Sequence, residues 1–315
     1  MTDASHDAMM QGFFGSPPKS TEKIYAYDGP KQWGKRFQQA AIAKGIDCRL
    51  FTNPAEVDEP TWVRLDQQGE WREKTKQAAT VALSPSATEA LWYDDKVAQY
   101  PILKKYLPPT HVFKQRKRAL DYAASCEYPL VSKSAEGASA GNVRLLHTQD
   151  DAINEAMDAF GNGLPLKYGR KQKGYVYWQQ FIPHDHDNRV CIIGNYYYGA
   201  KQYTRSGGWT ASGSGKGEVF TQPNGTMEYA SRVAREIGTS WMAFDILPSG
   251  HITEMSCSWG IGITKGAPVF HRETGECIGL AKDVIFDVAV DRFVRLIPAN
   301  NNAPAAAETR HPDTH

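Results

Sequence analysis

Two acidic residues, Asp245 and Glu254, stand in short apolar runs, WMAFDIL and HITEMS, on either side of Pro248-Ser249-Gly250. Such runs around a Pro-Ser-Gly turn predict a β-hairpin, which sets the two carboxylates opposite each other across the ladder. Beside Phe244, Ile246 and Met255, an ionised carboxylate is costly unless it is paired or metal-bound. Two facing carboxylates repel, and a divalent cation relieves that repulsion. Mg²⁺ takes few carboxylates and completes its shell with phosphate oxygens and water. The alternative is that both side chains face solvent on the polar side of an amphipathic hairpin.

Other residues suggest an anion partner for such a metal. Lys133 closes the strand-like run YPLVSK just before SAEGASAGNV. A lysine at that place can meet a phosphate, and the amides of Gly137, Ala138, Ser139 and Gly141 can cradle the same anion. The alternative is a surface lysine beside a flexible loop. In VYWQQFI, the segment Gln179, Gln180, Phe181 and Ile182 can read a nucleotide base through its backbone between aliphatic walls, or be plain core. Arg189, at a strand entry in HDHDNRV, and Arg205, leaving the next strand, have the planar guanidinium suited to a phosphate or carboxylate clamp; surface ion pairing is the alternative for each.

Three other patterns do not qualify. GWTASGSGK lacks the lysine of a P-loop at the required place, and Gly217 stands where Ser or Thr is needed. HDHD (His184 to Asp187) alternates between opposite faces of a strand, so it is a poor zinc site. GSGKG puts Glu218 where a dinucleotide-binding fingerprint needs its last glycine.

The elements that must position these residues can be read from periodicity. IYAYD, KQWGKRFQQAAIAKG and DCRLF read strand, helix, strand, a parallel β-α-β unit with Gly45 as C-cap. ATVALSP and ALWYDD predict a strand and a turn. VAQYPILKKYL predicts a helix ending at Pro108-Pro109. HTQDDAINEAMDAFG is an amphipathic helix with Ile153, Ala156, Met157 and Phe160 on one face. VCIIGNYYYGAKQY predicts a hairpin turning at Gly194-Asn195, MEYASRVAREIG a helix, and LAKDVIFDVAVDRFVRL a closing helix.

Bulk properties narrow the function classes. The 315 residues suffice for one large domain or two to three smaller ones. With 36 basic against 35 acidic residues, no global charge steers the chain towards nucleic acid or an anionic membrane. No apolar run approaches the roughly 20 residues of a membrane helix, and the N-terminus lacks the pattern of a secretory signal. Five scattered cysteines without a CxxC pair argue against a disulfide framework and fit a reducing, cytoplasmic location.

Taken in order, YDDKVAQYPILKKYLPPT, YPLVSKSAEGASAGNV, VYWQQFI, DNRVCIIG, AKQYTR and MAFDILPSGHITEMS closely resemble the ATP-grasp superfamily. The likeness is best to its peptide-ligase branch, typified by the ribosomal-protein glutamate ligase, and covers about residues 90–297. It implies an α/β (α+β) ATP-grasp fold with an N-terminal pre-ATP-grasp α/β domain. The expected division is a tail at 1–22, the pre-ATP-grasp domain at 23–94, a small lid subdomain at 95–180, a large subdomain with the metal site at 181–297, and a tail at 298–315.

The resemblance also implies roles. Lys96 and Lys133 match the two lysines on the ATP phosphates, and EGASAG the loop that closes over them. Gln180, Phe181 and Ile182 match the adenine-reading linker, where Gln180 is usually Glu. Arg189 matches the arginine of a D-x-R element, and Arg205 the one facing the phosphates and acyl group. Asp245 and Glu254 match the Mg²⁺ ligands, with Mn²⁺ as an alternative metal. Ser256 stands where the family has a third ligand, Asn, and CSWGIG replaces the usual Ser-Pro-Gly beyond it. The implied activity is ATP-dependent ligation of a small-molecule or peptide carboxylate to an amine or thiol through an acyl phosphate. The alternatives are a small-molecule kinase of the same fold and a catalytically inactive ATP-binding module. Proteins resembling this one commonly form dimers or tetramers.

Overall fold

The computed structural model describes residues 24–27, 32–51, 61–62, 83–84, 89, 92, 95–135, 142–166, 171–211, 214–257 and 259–301. The chain divides into two compact units, one of residues 1–90 with 285–315 and the other of residues 91–284.

The first unit contains the expected β-α-β: β1 (Ile24–Tyr27), α1 (Trp33–Ala43) and β2 (Cys48–Phe51), with β1 and β2 parallel. Short strands β3 (Thr61–Trp62) and β4 (Leu83–Ser84) extend the parallel sheet in the order β2-β1-β3-β4. Helix α1 buries Trp33, Phe37 and Ala41, and Gly45 reverses the chain at φ +76°, a backbone that glycine adopts without steric cost. The last helix (Ala281–Asn301) runs five residues past the expected end. Its Phe286 and Phe293 meet Trp33 and Phe37 edge-on, with ring centroids 5.2 and 5.8 Å apart. Its buried Arg292 pairs with Glu89 at 3.2 Å.

The second unit holds two antiparallel sheets. Helix α2 (Lys96–Leu103) opens it, capped by Asp95, whose Oδ1 accepts from the Ala98 amide at 2.9 Å. It stops four residues short of the expected end. The smaller sheet joins β5 (Thr110–Phe113), β6 (Leu130–Lys133), β7 (Val143–Leu146) and β10 (Val176–Gln180) in the order β5-β10-β6-β7; the two-residue strands β8 (Leu164–Pro165) and β9 (Lys171–Gln172) pair apart from it.

Helices α3 (Arg116–Ala123) and α4 (Gln149–Phe160) pack on the smaller sheet. They present Ala119, Ala123, Ala152, Ala156 and Ala159 to Leu130, Val176 and Trp178. Small side chains on the helices let them lie close to the strands. Buried Glu155 of α4 accepts from Trp178 Nε1 at 3.0 Å and from Ser132 Oγ, so one carboxylate ties β10 to β6. Helix α3 has no counterpart among the sequence expectations, because its buried face is alanine and carries no apolar stripe to read.

The larger sheet comprises β11 (His186–Ile193), β12 (Tyr196–Tyr203), β13 (Gly217–Val219), β14 (Trp241–Ile246), β15 (Ile252–Ser256), β16 (Pro268–His271) and β17 (Cys277–Leu280). Its order is β15-β14-β11-β12-β16-β17, with β13 added against β12. Both expected hairpins are present, β11–β12 turning at Gly194-Asn195 and β14–β15 at Pro248–Gly250. Helix α5 (Gly225–Glu236) buries Met227, Ala230, Val233 and Ala234 and lies against β11, β12 and β14.

Candidate active site

The site is built on the β14–β15 hairpin. Asp245 and Glu254 are direct cross-strand partners, as the length of the hairpin predicts. Immediately beyond them the register shifts, and Ile246 pairs with Ile252. Thr253 is thereby the extra residue of a bulge, and its carbonyl is re-aimed. Lys133 Nζ donates to that carbonyl at 2.9 Å. The end of β6 is thus held beside the two carboxylates.

Cations surround them. Arg189 lies directly opposite Asp245 on β11. Its Nε and Nη2 donate to Oδ1 and Oδ2 at 2.8 and 2.6 Å, a bidentate pair of the strong kind. Lys96 Nζ stands 3.2 Å from Glu254 Oε1. Two bonds position Lys96: its own amide donates to Ala135 O at 2.9 Å, and Gln99, one turn on, donates from Nε2 to Met255 O at 2.9 Å. Helix α2 is therefore fastened to β15. Burial pushes the Lys133 ammonium down to about 8, an effect reinforced by Lys96 and opposed by Glu254 and Asp245.

These groups lie at one end of a cleft of about 790 Å³, the solvent at its mouth included. Lys96, Lys133, Asp245 and Glu254 line that end. Val131, Phe181, Ile182, Leu247 and Trp209 supply apolar and aromatic walls. Gln179 and Gln180 also line the cleft, but the Gln179 side chain donates to Thr110 Oγ1 at 2.9 Å. The amides of Gln180 and Phe181 donate to Pro109 O and Pro129 O, which fixes the course of this segment out of β10.

The remaining expected residues fall differently. Arg189 does not line the cleft; its guanidinium is spent behind Asp245, so it acts as a brace for that carboxylate where a free clamp was expected. The cause is a strand pairing, β11 with β14, between segments far apart in sequence. Arg205 is exposed and also lies outside the cleft lining. Ser256 sits opposite Ala243 on β15, on the same face as Glu254 and one two-residue step along, and does not line the cleft. Gly137, Ala138, Ser139 and Gly141 lie outside the described residues.

Asp187 enters the sequence analysis only within HDHD and the D-x-R element, without a site role. It lines the cleft two positions before Arg189, is buried, and its Oδ1 has no hydrogen-bond partner among the described residues. Burial, with the charge of Asp245, pushes its carboxyl up to about 8. The signal was present in the i, i+2 spacing that puts Asp187 on the strand face of Arg189. Gln99 left no such signal.

Among the described residues no three His, Cys, Asp or Glu side chains are arranged to hold a metal ion. Asp245 and Glu254 offer a hard cation two carboxylates, and a bound anion held by Lys96 and Lys133 would complete its oxygen shell. The donor set therefore fits Mg²⁺ brought in with a phosphate chain.

Two antiparallel sheets flanking such a cleft define the ATP-grasp fold, and comparison with solved structures shows that fold. The chain is similar to a RimK-domain ATP-grasp protein from Sphaerobacter thermophilus, with a TM-score of 0.53 and 16% identity over 88% of this chain and 99% of that one. It is similar to the ATP-grasp ligase PsnB, solved with a minimal precursor, Mg and ADP, with a TM-score of 0.54 and 14% identity over 86% of this chain and 98% of that one. It is also similar to a Chryseobacterium gregarium RiPP-associated ATP-grasp ligase, solved with ADP and a leader and core peptide; the TM-score is 0.56 and the identity 10% over 90% of this chain and 98% of that one. No protein-family model matches the sequence, and no curated protein matches it significantly. The ATP-grasp fold expected from motif order is borne out.

Proposed function

We propose that the protein is an ATP-dependent ligase joining a carboxylate to an amine or thiol, with Mg²⁺-ATP bound in the cleft. The observation that carries this reading is the cross-strand Asp245–Glu254 pair met by Lys96 and Lys133 in a cleft that also has apolar and aromatic walls. Lys96 and Lys133 hold the phosphates, and Asp245 and Glu254 hold the metal, which supplies positive charge to the phosphate oxygens. Arg189 keeps Asp245 in place. Asp187, buried and short of a partner, is placed to accept or donate one hydrogen bond to the nucleotide. The 180–182 segment borders the base. Arg205 is given no role, because it is exposed and outside the cleft.

In this reaction a substrate carboxylate oxygen attacks the γ-phosphorus, the bond to the β-phosphate oxygen breaks, and ADP leaves. An amine nitrogen then attacks the acyl carbon and loses a proton, and inorganic phosphate departs with the C–O bond electrons. Nearly all the assistance in such steps is positioning and charge neutralisation, which two buried lysines and a braced carboxylate pair provide. A peptide is the favoured substrate class, because similar structures hold a precursor or a leader and core peptide.

Calorimetry with Mg²⁺-ATP tests the first half, and wild type that binds none overturns the reading. Product mass tests the second half. ADP release with condensation of a carboxylate and an amine, from a panel of glutamate- and aspartate-containing peptides with added amines, supports ligation. A product heavier by one phosphoryl group alone makes the protein a kinase.

A further inference from the structure

The loop between β12 and β13 has no part in the reaction just described. Its sequence, RSGGWTASGSGKGE, is rich in Gly and Ser, yet its described residues are folded. The Gly208 amide donates to Arg205 O at 2.8 Å, closing a four-residue turn whose third residue, Gly207, has φ +69°, as such turns require. Arg205 N donates to Thr210 O at 3.2 Å. From β12, buried Gln202 donates through Nε2 to Ala211 O at 2.8 Å. These bonds fix the residue between them, Trp209.

The Trp209 ring meets Phe181 edge-on, with centroids 6.0 Å apart and planes at 90°. Phe181 in turn lies 6.0 Å from the ring of His184, whose Nδ1 is 2.7 Å from Ile182 O. All three rings line the cleft beside the 180–182 segment. Trp209 is only partly buried, so it offers free ring surface there. The loop's other contributions to the lining, Thr210 and Ala211, carry no charge, so this wall is built for a planar apolar partner and not for phosphate.

We propose that Trp209, backed by Phe181 and His184, stacks on the nucleobase, making the β12–β13 loop a clamp for the base of the nucleotide. The proposal rests on the nucleotide-binding reading above. Stacking of a base on an aromatic ring is commonly worth about 1–3 kcal/mol, so loss of the ring weakens nucleotide binding by about tenfold or more.

The test compares Mg²⁺-ADP with Mg²⁺-tripolyphosphate, which has no base, on wild type, Trp209→Ala and Trp209→Phe by calorimetry. Trp209→Ala is expected to weaken ADP about tenfold or more and to leave tripolyphosphate within about twofold; Trp209→Phe, which keeps a ring, stays within about threefold for both. Tryptophan emission gives a second readout. ADP quenches wild type, and the quench disappears in Trp209→Phe, which assigns it to Trp209 among the eight tryptophans. If Trp209→Ala does not fold, the quench comparison decides alone. Equal losses for ADP and tripolyphosphate, no loss for either, or a quench that persists in Trp209→Phe overturns the clamp while nucleotide binding stands. Wild type that binds neither ligand overturns both readings.

Discussion

The two ends of the cleft are built on opposite principles. At the charged end, Asp245 is already held by Arg189 and Glu254 already faces Lys96. Any metal or phosphate arriving there exchanges one set of ion pairs for another, so only the difference between the two sets contributes to binding. At the apolar end, Phe181, Ile182 and Trp209 present surface that gains from burial without giving up a polar partner. On the proposed function, the charged end would decide whether phosphate chemistry occurs, and the apolar end which nucleotide stays.

The largest expected effect comes from breaking the charged end at its brace. In Asp245→Asn, Arg189 loses its bidentate partner. Removing one member of a well-buried pair typically costs about 3–5 kcal/mol; with side-chain exposures of 21% and 11% for Arg189 and Asp245, the lower end of that range applies. Thermal unfolding should fall by several degrees, and Mg²⁺-dependent ATP affinity by about a hundredfold or more. If the variant melts with wild type and binds equally well, the two ends do not differ as described.

Lys133 should separate stability from binding. Holding a charged ammonium in that buried place costs the empty fold, as its fall to about 8 shows. Lys133→Met fills similar volume without charge. Its empty protein should melt higher, by about 1 kcal/mol of stability, while its Mg²⁺-ATP affinity falls about tenfold or more.

The same groups set a pH dependence. Below about 8, Lys133 carries its proton and Asp187 is neutral; as pH rises through that value, Lys133 loses positive charge and Asp187 gains negative charge. Both changes disfavour a phosphate chain, so affinity is full below about 8 and declines above it. Lys133→Met should keep only the shallower part of the decline, due to Asp187. Trp209→Ala, at the other end, should keep the whole slope. Calorimetry from pH 6 to about 9.5 reads both.

The two ends were also unequally legible in the sequence. Asp245 and Glu254 were readable because a hairpin is local: the turn fixes which residues face each other. The β-α-β unit and α4 were readable from periodicity. The role of Arg189 was not, because the pairing of β11 with β14 joins strands separated by two other strands and a helix. Neither the Thr253 bulge nor the Gln99 bonds to β15 leaves a pattern in a single chain. Lys96 was found only through motif order, since its meeting with Glu254 has no local cause. At the apolar end, the Gly- and Ser-rich composition around Trp209 gave no sign of how firmly Gln202 and the Arg205–Gly208 turn hold it.

The smallest expected effect is the most specific to the charged end. Ser256 shares the face of Glu254 and stands opposite Ala243, so a longer side chain at 256 extends along the strand towards the carboxylate pair. A serine hydroxyl is a short, weak donor to a hard cation; an asparagine carbonyl is a stronger oxygen dipole and reaches one atom further. Ser256→Asn should lower the Mg²⁺ concentration needed for half-maximal ADP binding by about threefold. It should leave metal-free ADP affinity unchanged, because that affinity draws on the lysines and the apolar walls. A Mg²⁺ titration that superimposes on wild type places residue 256 outside the metal's reach and leaves Asp245 and Glu254 as the protein's whole contribution. A change in metal-free affinity instead means that the substitution acts through packing of β15, and the separation between the two ends is then less complete than the ion pairs suggest.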